Sequence, residues 1–146
     1  MSVTNLAELL NSRQFPGMTL TESGVAREWI RAHAFQYDSI EWNVRLGDGV
    51  ELGPEFDEAT RRAARLNSQK RADFIARGPL ATAIVEVKNR LDARALGQLL
   101  MYRQLLSAMR PISGPVLLYA AGARIDPDTR PTFEAAGIIV EIYPVP

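Results

Sequence analysis

The chain has no cysteine, one histidine and, among its 17 Lys and Arg residues, only two lysines, Lys70 and Lys88. Without cysteine there is no disulfide framework, no thiol nucleophile and no Cys-based zinc site. A single histidine, His33, rules out His-rich metal sites and leaves little room for a His-based triad. Near a helix C-terminus it reads most simply as a favourable charge for the helix dipole. No apolar run approaches the ~18 residues of a membrane span. The longest, Gly114 to Ala121, has the length of a buried strand. Met1 to Glu8 carries neither a basic segment nor an apolar signal core, so the expected address is the cytoplasm. There is no repeat, no low-complexity tract, no phosphate-cradling Gly-rich loop, no Gly-x-Ser-x-Gly elbow and no dinucleotide fingerprint, and no nucleotide cofactor is expected.

What is present suits one ordinary globular domain of 146 residues, with 47% hydrophobic and 23% charged residues, too apolar a mixture for a disordered chain. A chain of this size can bury roughly two thirds of its unfolded surface. Residues 4–12 read as a short helix and 20–34 as a second, opened by the capping box Thr19 and Glu22. Ile40, Trp42, Val44 and Leu46 alternate, which predicts a half-buried strand over 39–46 with all four on one side. Pro54 can open a helix reaching Leu66, followed by a loop over 67–70. A hairpin is expected from strands 71–76 and 81–88 around a turn at 77–80. Asp92 caps a helix over 93–109, 116–120 is a buried strand, Pro131 starts a short helix that Gly137 stops, and 138–143 is a last strand. The order predicts an α/β fold with a central mixed sheet flanked by helices. Residues 1–18 would be an extension, 20–120 the core and 121–146 an appended helix and strand.

The formal charge is zero, with 17 basic and 17 acidic residues, but the sum conceals an uneven chain. Residues 1–60 carry four arginines against ten acids, residues 61–110 eleven cations against three acids, and residues 111–146 two arginines against four acids. The middle segment has the charge of a polyanion footprint, or of a solvated helix face at Arg61, Arg62 and Arg65. Its three acids are Asp73, Glu86 and Asp92. Asp92 has a capping role; the other two require a reason.

Glu86 and Lys88 end an otherwise apolar strand and, two apart, share a face. Charges there are costly unless paired or bound to metal, so either a structural ion pair or a metal site is implied. With an even turn at 77–80, Asp73 faces Ile84 and lies diagonal to Glu86 on the same side, about 7–8 Å away. Two carboxylates with a gap between them suit a hard cation such as Mg²⁺.

Asp73, twelve residues, then Glu86-x-Lys88 on a hairpin after a helix resembles the PD-(D/E)XK nuclease superfamily, over roughly residues 20–120. Glu28 falls where many members carry a further active-site acid, and Arg27-Glu28 looks like the Arg-Glu pair of archaeal Holliday-junction resolvases. Gln98 and Tyr102 match the Gln-x3-Tyr motif of RecB-type nucleases and share a helix face. Ala72 stands where the family name has proline. The resemblance implies a restriction-endonuclease-like core and metal-dependent hydrolysis of DNA. Asp73, Glu86 and the backbone carbonyl of Val87 would hold Mg²⁺ or Mn²⁺, with Glu28 assisting. The ion would polarise a phosphate oxygen and lower the pKa of a bound water. Lys88 would orient that water or stabilise the transition state, and Gln98 and Tyr102 would position the DNA backbone or water. Arg27, Lys70, Arg71, Arg90 and Arg94 are candidate phosphate contacts. Glu28 has a competing reading as an exposed helix residue paired with Arg31. Trp42 reads as core rather than as a base-stacking platform.

The expected partner is double-stranded or branched DNA and the expected activity a structure-selective or low-specificity endonuclease, suited to repair or recombination. The alternatives are a RecB-like exonuclease and an inert nuclease-fold module that binds nucleic acid or a protein. An enzyme of another class on a mixed sheet is weakened by the missing cofactor motifs. A homodimer is expected, with residues 47–69 available for dimerisation or DNA.

Overall fold

The computed structural model describes residues 6–145. Ten elements follow in order: α1 (Leu6–Asn11), α2 (Leu20–His33), β1 (Ser39–Leu46), α3 (Glu58–Ser68), β2 (Lys70–Arg77), β3 (Thr82–Leu91), α4 (Ala93–Met109), β4 (Val116–Ile125), α5 (Arg130–Ala135) and β5 (Ile138–Ile142). The strands form one mixed sheet in sequence order, antiparallel from β1 to β3 and parallel from β3 to β5. α4 and α5 make the two crossovers that parallel neighbours require. The fold is the expected α/β single domain with helices on a mixed sheet. Among the described residues no helix is long and apolar enough to cross a membrane.

Local chemistry explains the boundaries. α2 opens on the full capping box: Thr19 Oγ1 accepts from the Glu22 amide at 3.2 Å, and Glu22 Oε2 accepts from the Thr19 amide at 2.9 Å. Asp92 caps α4 by accepting from the amides of Arg94 and Ala95. α3 starts later than Pro54 suggests, because Asp57 accepts from the Thr60 amide at 2.7 Å and so makes the better N-cap. Residues 54–57 form a turn, and Asn67 and Ser68, expected in a loop, complete the helix.

Two apolar layers hold the sheet. On one face α1 and α2 pack Leu9, Val25, Ala26, Trp29 and Ile30 against Phe74, Val85, Val87 and Tyr119. On the other, α4 and α5 pack Leu99, Tyr102, Leu106 and Phe133 against Ile75, Ile84, Leu118 and Ala120. Trp29 meets Phe74 and Tyr119 edge-on at 5.3 and 5.2 Å, and Trp42 stacks on Phe15 at 4.8 Å, so Trp42 is core as expected.

The expected single face of β1 does not hold. Ile40 and Trp42 lie in the α2-side layer, Val44 and Leu46 in the α4-side layer. Between them Asn43 adopts φ 48°, and the facing pair Asn43 and Asp73 is missing from an otherwise regular β1–β2 ladder. β2 makes the same crossing, with Ala72 in the α4-side layer and Phe74 in the α2-side layer. All four apolar residues of β1 are buried, but a left-handed residue in mid-strand turns the second half over.

Candidate active site

The β2–β3 turn occupies residues 78–81, one residue later than expected, and the Gly78 amide donates to the Ala81 carbonyl at 3.0 Å. Pairing runs Arg77–Thr82, Ala76–Ala83, Ile75–Ile84 and Phe74–Val85. The register therefore differs by two residues from the expected one. An even slip keeps every side chain on its face, and continuing it sets Asp73 opposite Glu86 instead of diagonal to it. Beyond Phe74–Val85 the ladder stops. There Asp73 Oδ2 accepts the Val87 amide proton at 2.7 Å, so a side chain replaces a strand–strand bond.

Glu86 is 1% exposed, on the α4 side of β3 with Ile84. Its Oε1 lies 3.1 Å from Lys88 Nζ, while its Oε2 is buried with no hydrogen-bond partner among the described residues. Burial, then the Asp73 carboxylate, drives the Glu86 carboxyl upward against the Lys88 ammonium, to about 8. Asp73 is raised as well, chiefly by burial, with the Val87 amide and Lys88 opposing. Burial works to lower Lys88, but Glu86, Asp73 and Glu22 more than offset it and hold the ammonium above its usual range. The two carboxyls share less than two full negative charges near neutral pH, the behaviour of coupled acids without enough positive charge between them.

From the facing helix α4, Tyr102 is 3% exposed, and its phenol is raised by burial and by the charges of Glu86 and Asp73. One turn earlier, the buried Oε1 of Gln98 has no partner among the described residues. Gln98 and Tyr102 also line a cleft of about 390 Å³ with Asn67, Gln69, Lys70, Arg71, Arg94 and Met101. Lys70, Arg71 and Arg94 are exposed and form no ion pair among the described residues. Asp73, Glu86 and Lys88 thus form one cluster, Gln98, Tyr102 and the three cations line one cleft, and Tyr102 links the two.

Glu28, Arg27 and Arg90 belong to neither. Glu28 pairs with Arg31, the competing reading, beside a shallow depression that also holds Leu20, Thr21, Gly24 and Val145. Two turns of helix separate it from the acid of α2 whose charge does reach Asp73 and Lys88, Glu22. In the sequence Glu22 reads as a capping residue; its place as an acid in the first turn of the helix preceding the sheet is the signal for it. Arg27 donates to the Ser12 and Arg13 carbonyls behind α1 and lies 5.5 Å over the Phe15 ring, which makes it a brace between α1 and α2. Arg90, two residues beyond Lys88 in β3, is turned to Asp126, 3.8 Å away. His33 meets Glu141 of β5 through Nε2 and stacks on Trp29 at 4.4 Å, so it ties α2 to the sheet edge in addition to any dipole effect.

The donor set is entirely oxygen, and one of its oxygens, Glu86 Oε2, is buried with no hydrogen-bond partner among the described residues, which fits a hard cation held by Asp73, Glu86 and the Val87 carbonyl. Among the described residues no group of three or more His, Asp or Glu side chains converges on one point. Comparisons with protein-family models, curated proteins and solved structures give no match.

Proposed function

We propose that this chain is a Mg²⁺- or Mn²⁺-dependent nuclease that hydrolyses phosphodiester bonds in DNA, as its resemblance to the PD-(D/E)XK superfamily implies. One observation carries the reading: a buried Asp73–Glu86 pair with Lys88 beside it, whose charges act on Tyr102, a residue lining a cleft with Lys70, Arg71 and Arg94. A purely structural Glu86–Lys88 pair would not call for a second buried carboxyl beside it, one whose charge works against the ionisation of Glu86.

Asp73, Glu86 and the Val87 carbonyl would hold the ion. When bound, it supplies Lewis-acid polarisation of the phosphate and a lowered pKa for the attacking water. The chain supplies the rest. Val87 N–H fixes the Asp73 carboxylate. Lys88, held as an ammonium by the two acids, donates to the phosphate where negative charge develops. Gln98 and Tyr102 orient water or the nucleic-acid backbone from α4, and Lys70, Arg71 and Arg94 neutralise neighbouring phosphates.

The test is incubation with supercoiled, linear and branched DNA in Mn²⁺, in Mg²⁺ and in EDTA. Metal-dependent cleavage that Glu86→Ala and Lys88→Ala abolish supports the reading. Product ends separate endonuclease from exonuclease action. DNA binding without any metal-dependent cleavage would favour the non-cutting module. We also propose a homodimer through residues 47–69, because α3 buries none of its own residues. Gel filtration with light scattering that finds only monomer removes it.

A further inference from the structure

The carboxylate pair is recessed. Glu86 is 1% exposed and does not line the cleft between the start of β2 and α4; Tyr102, which does, carries the influence of the Glu86 and Asp73 charges and so links the two. The cleft's volume of about 390 Å³ is near the lower end of the ~300–1,000 Å³ typical of pockets that enclose one drug-sized ligand. That is room for a nucleotide-sized stretch of one strand. A duplex brings its phosphates on a broad, stiff cylinder and presents two strands at once.

The lining suits a strand that enters. Lys70 and Arg71 stand on the β2 wall and Arg94 on the α4 wall, so cations flank the path on both sides. Met101, also on the lining, is 46% exposed and adds apolar surface beside these cations. Asn67, exposed on the lining, adds an amide group able to pair with a base edge. A basic groove with apolar contact surface is the arrangement that accepts unpaired strands with little sequence preference, because the backbone gives charge and every base offers a face. From these features we infer that the site takes single-stranded DNA, either as an unpaired strand or as the unpaired part of a branched duplex. The inference rests on the nuclease reading and names its substrate class.

The probes are fluorescein-labelled oligonucleotides of about 20 nucleotides, longer than the ~4–16 nucleotides that one such groove covers. They are offered single-stranded, as a blunt duplex and as a duplex with an overhang. Binding to the full chain is followed by fluorescence anisotropy in Ca²⁺ at fixed ionic strength, and cleavage is mapped in Mn²⁺. The expected result is single-stranded DNA bound at least about tenfold more tightly than the blunt duplex, with cuts confined to the unpaired segment. Arg94→Ala and Lys70→Ala should each weaken single-strand binding about three- to tenfold at low salt without shifting thermal unfolding. Equal or tighter binding of the blunt duplex, or cuts within paired DNA at the same rate, overturns the inference and leaves the nuclease reading standing. Tight single-strand binding with no cleavage of any probe supports the inferred cleft and overturns the nuclease reading. No binding to any probe overturns both.

Discussion

Asp73 and Val87 are joined at the point where two strands part: the carboxylate of one accepts the amide proton of the other at 2.7 Å, just past the last ladder pair. The bond aims a buried charge at Glu86 and keeps a strand amide satisfied. Asp73→Asn retains an acceptor for Val87 and removes the charge, whereas Asp73→Ala removes both. In EDTA, Asp73→Ala should be about 1–3 kcal/mol less stable than Asp73→Asn by denaturant unfolding. Both should lose Mn²⁺ binding by calorimetry. Equal stability of the two variants would mean that the bond is not formed.

Glu86 sets a pH dependence. Its carboxyl stands at about 8 in the fold against a reference of 4.5, so the fold favours the protonated form. The stability this group contributes is full below about pH 4.5, declines as pH rises and is lost above about pH 8. Thermal unfolding in EDTA should therefore show a lower midpoint at pH 8.5 than at pH 6, a slope that Glu86→Gln flattens. Added Mn²⁺ should stabilise the wild-type chain more at pH 8.5, where the carboxylate is available, than at pH 5.5. A metal response independent of pH would speak against Glu86 as a ligand.

The two acids of α2 should behave differently. Glu22 acts on the charges of Asp73 and Lys88, while Glu28 is engaged with Arg31. Glu28→Gln should leave Mn²⁺ affinity and cleavage unchanged within about twofold, because exposed helix pairs are worth only a few tenths of a kcal/mol. Glu22→Gln preserves a capping-box acceptor, so it should fold normally and weaken Mn²⁺ binding. The reverse ranking would put the functional acid at Glu28.

Arg27 and Arg94 separate structural from nucleic-acid-facing arginines. Arg27 braces the carbonyls behind α1, so Arg27→Ala should cost about 1–2 kcal/mol of stability and leave DNA affinity untouched. Arg94→Ala should stay within about 0.5 kcal/mol of wild type in stability. It should lower the slope of log affinity against log salt by about one. Salt-titrated anisotropy on both variants decides.

Lys88 has a role distinct from metal retention. Its ammonium lies 3.1 Å from Glu86 Oε1 and is one-third exposed toward the site. Lys88→Met should retain Mn²⁺ binding and lose about 10²–10³-fold in cleavage rate, the usual loss when one transition-state donor is removed. Loss of metal binding in parallel would instead make Lys88 a structural counter-charge.

Much of the fold was legible because its signals are local. The capping box at Thr19, the Asp92 cap, the Pro131 start and the Gly137 stop mark helix ends through bonds or backbone angles spanning a few residues. The i, i+2 spacing of Glu86 and Lys88 put them on one strand face without tertiary information. The hairpin was legible for the same reason: its turn lies one residue later than expected, and the resulting two-residue shift in register is even, so Ile75 and Ile84 still share a face. What escaped was the crossing at Asn43. Alternation in a sequence shows which residues are buried, but not that a single positive φ sends the two halves of a strand to opposite layers.

By itself, then, the sequence determined the order of elements, the mixed sheet and the placing of Glu86 and Lys88 on one strand face, all consequences of short-range period and capping. Only the tertiary structure decided that Glu22 approaches the pair while Glu28 turns to Arg31, that Arg27 braces a helix, and that Lys70, Arg71 and Arg94 share a cleft with Gln98 and Tyr102. Helix periodicity gives relative directions within one helix. Which direction meets the site depends on how α2 and α4 lie across the twisted sheet, and that is set by the packing of Trp29, Phe74, Leu99 and Tyr102 in its two layers.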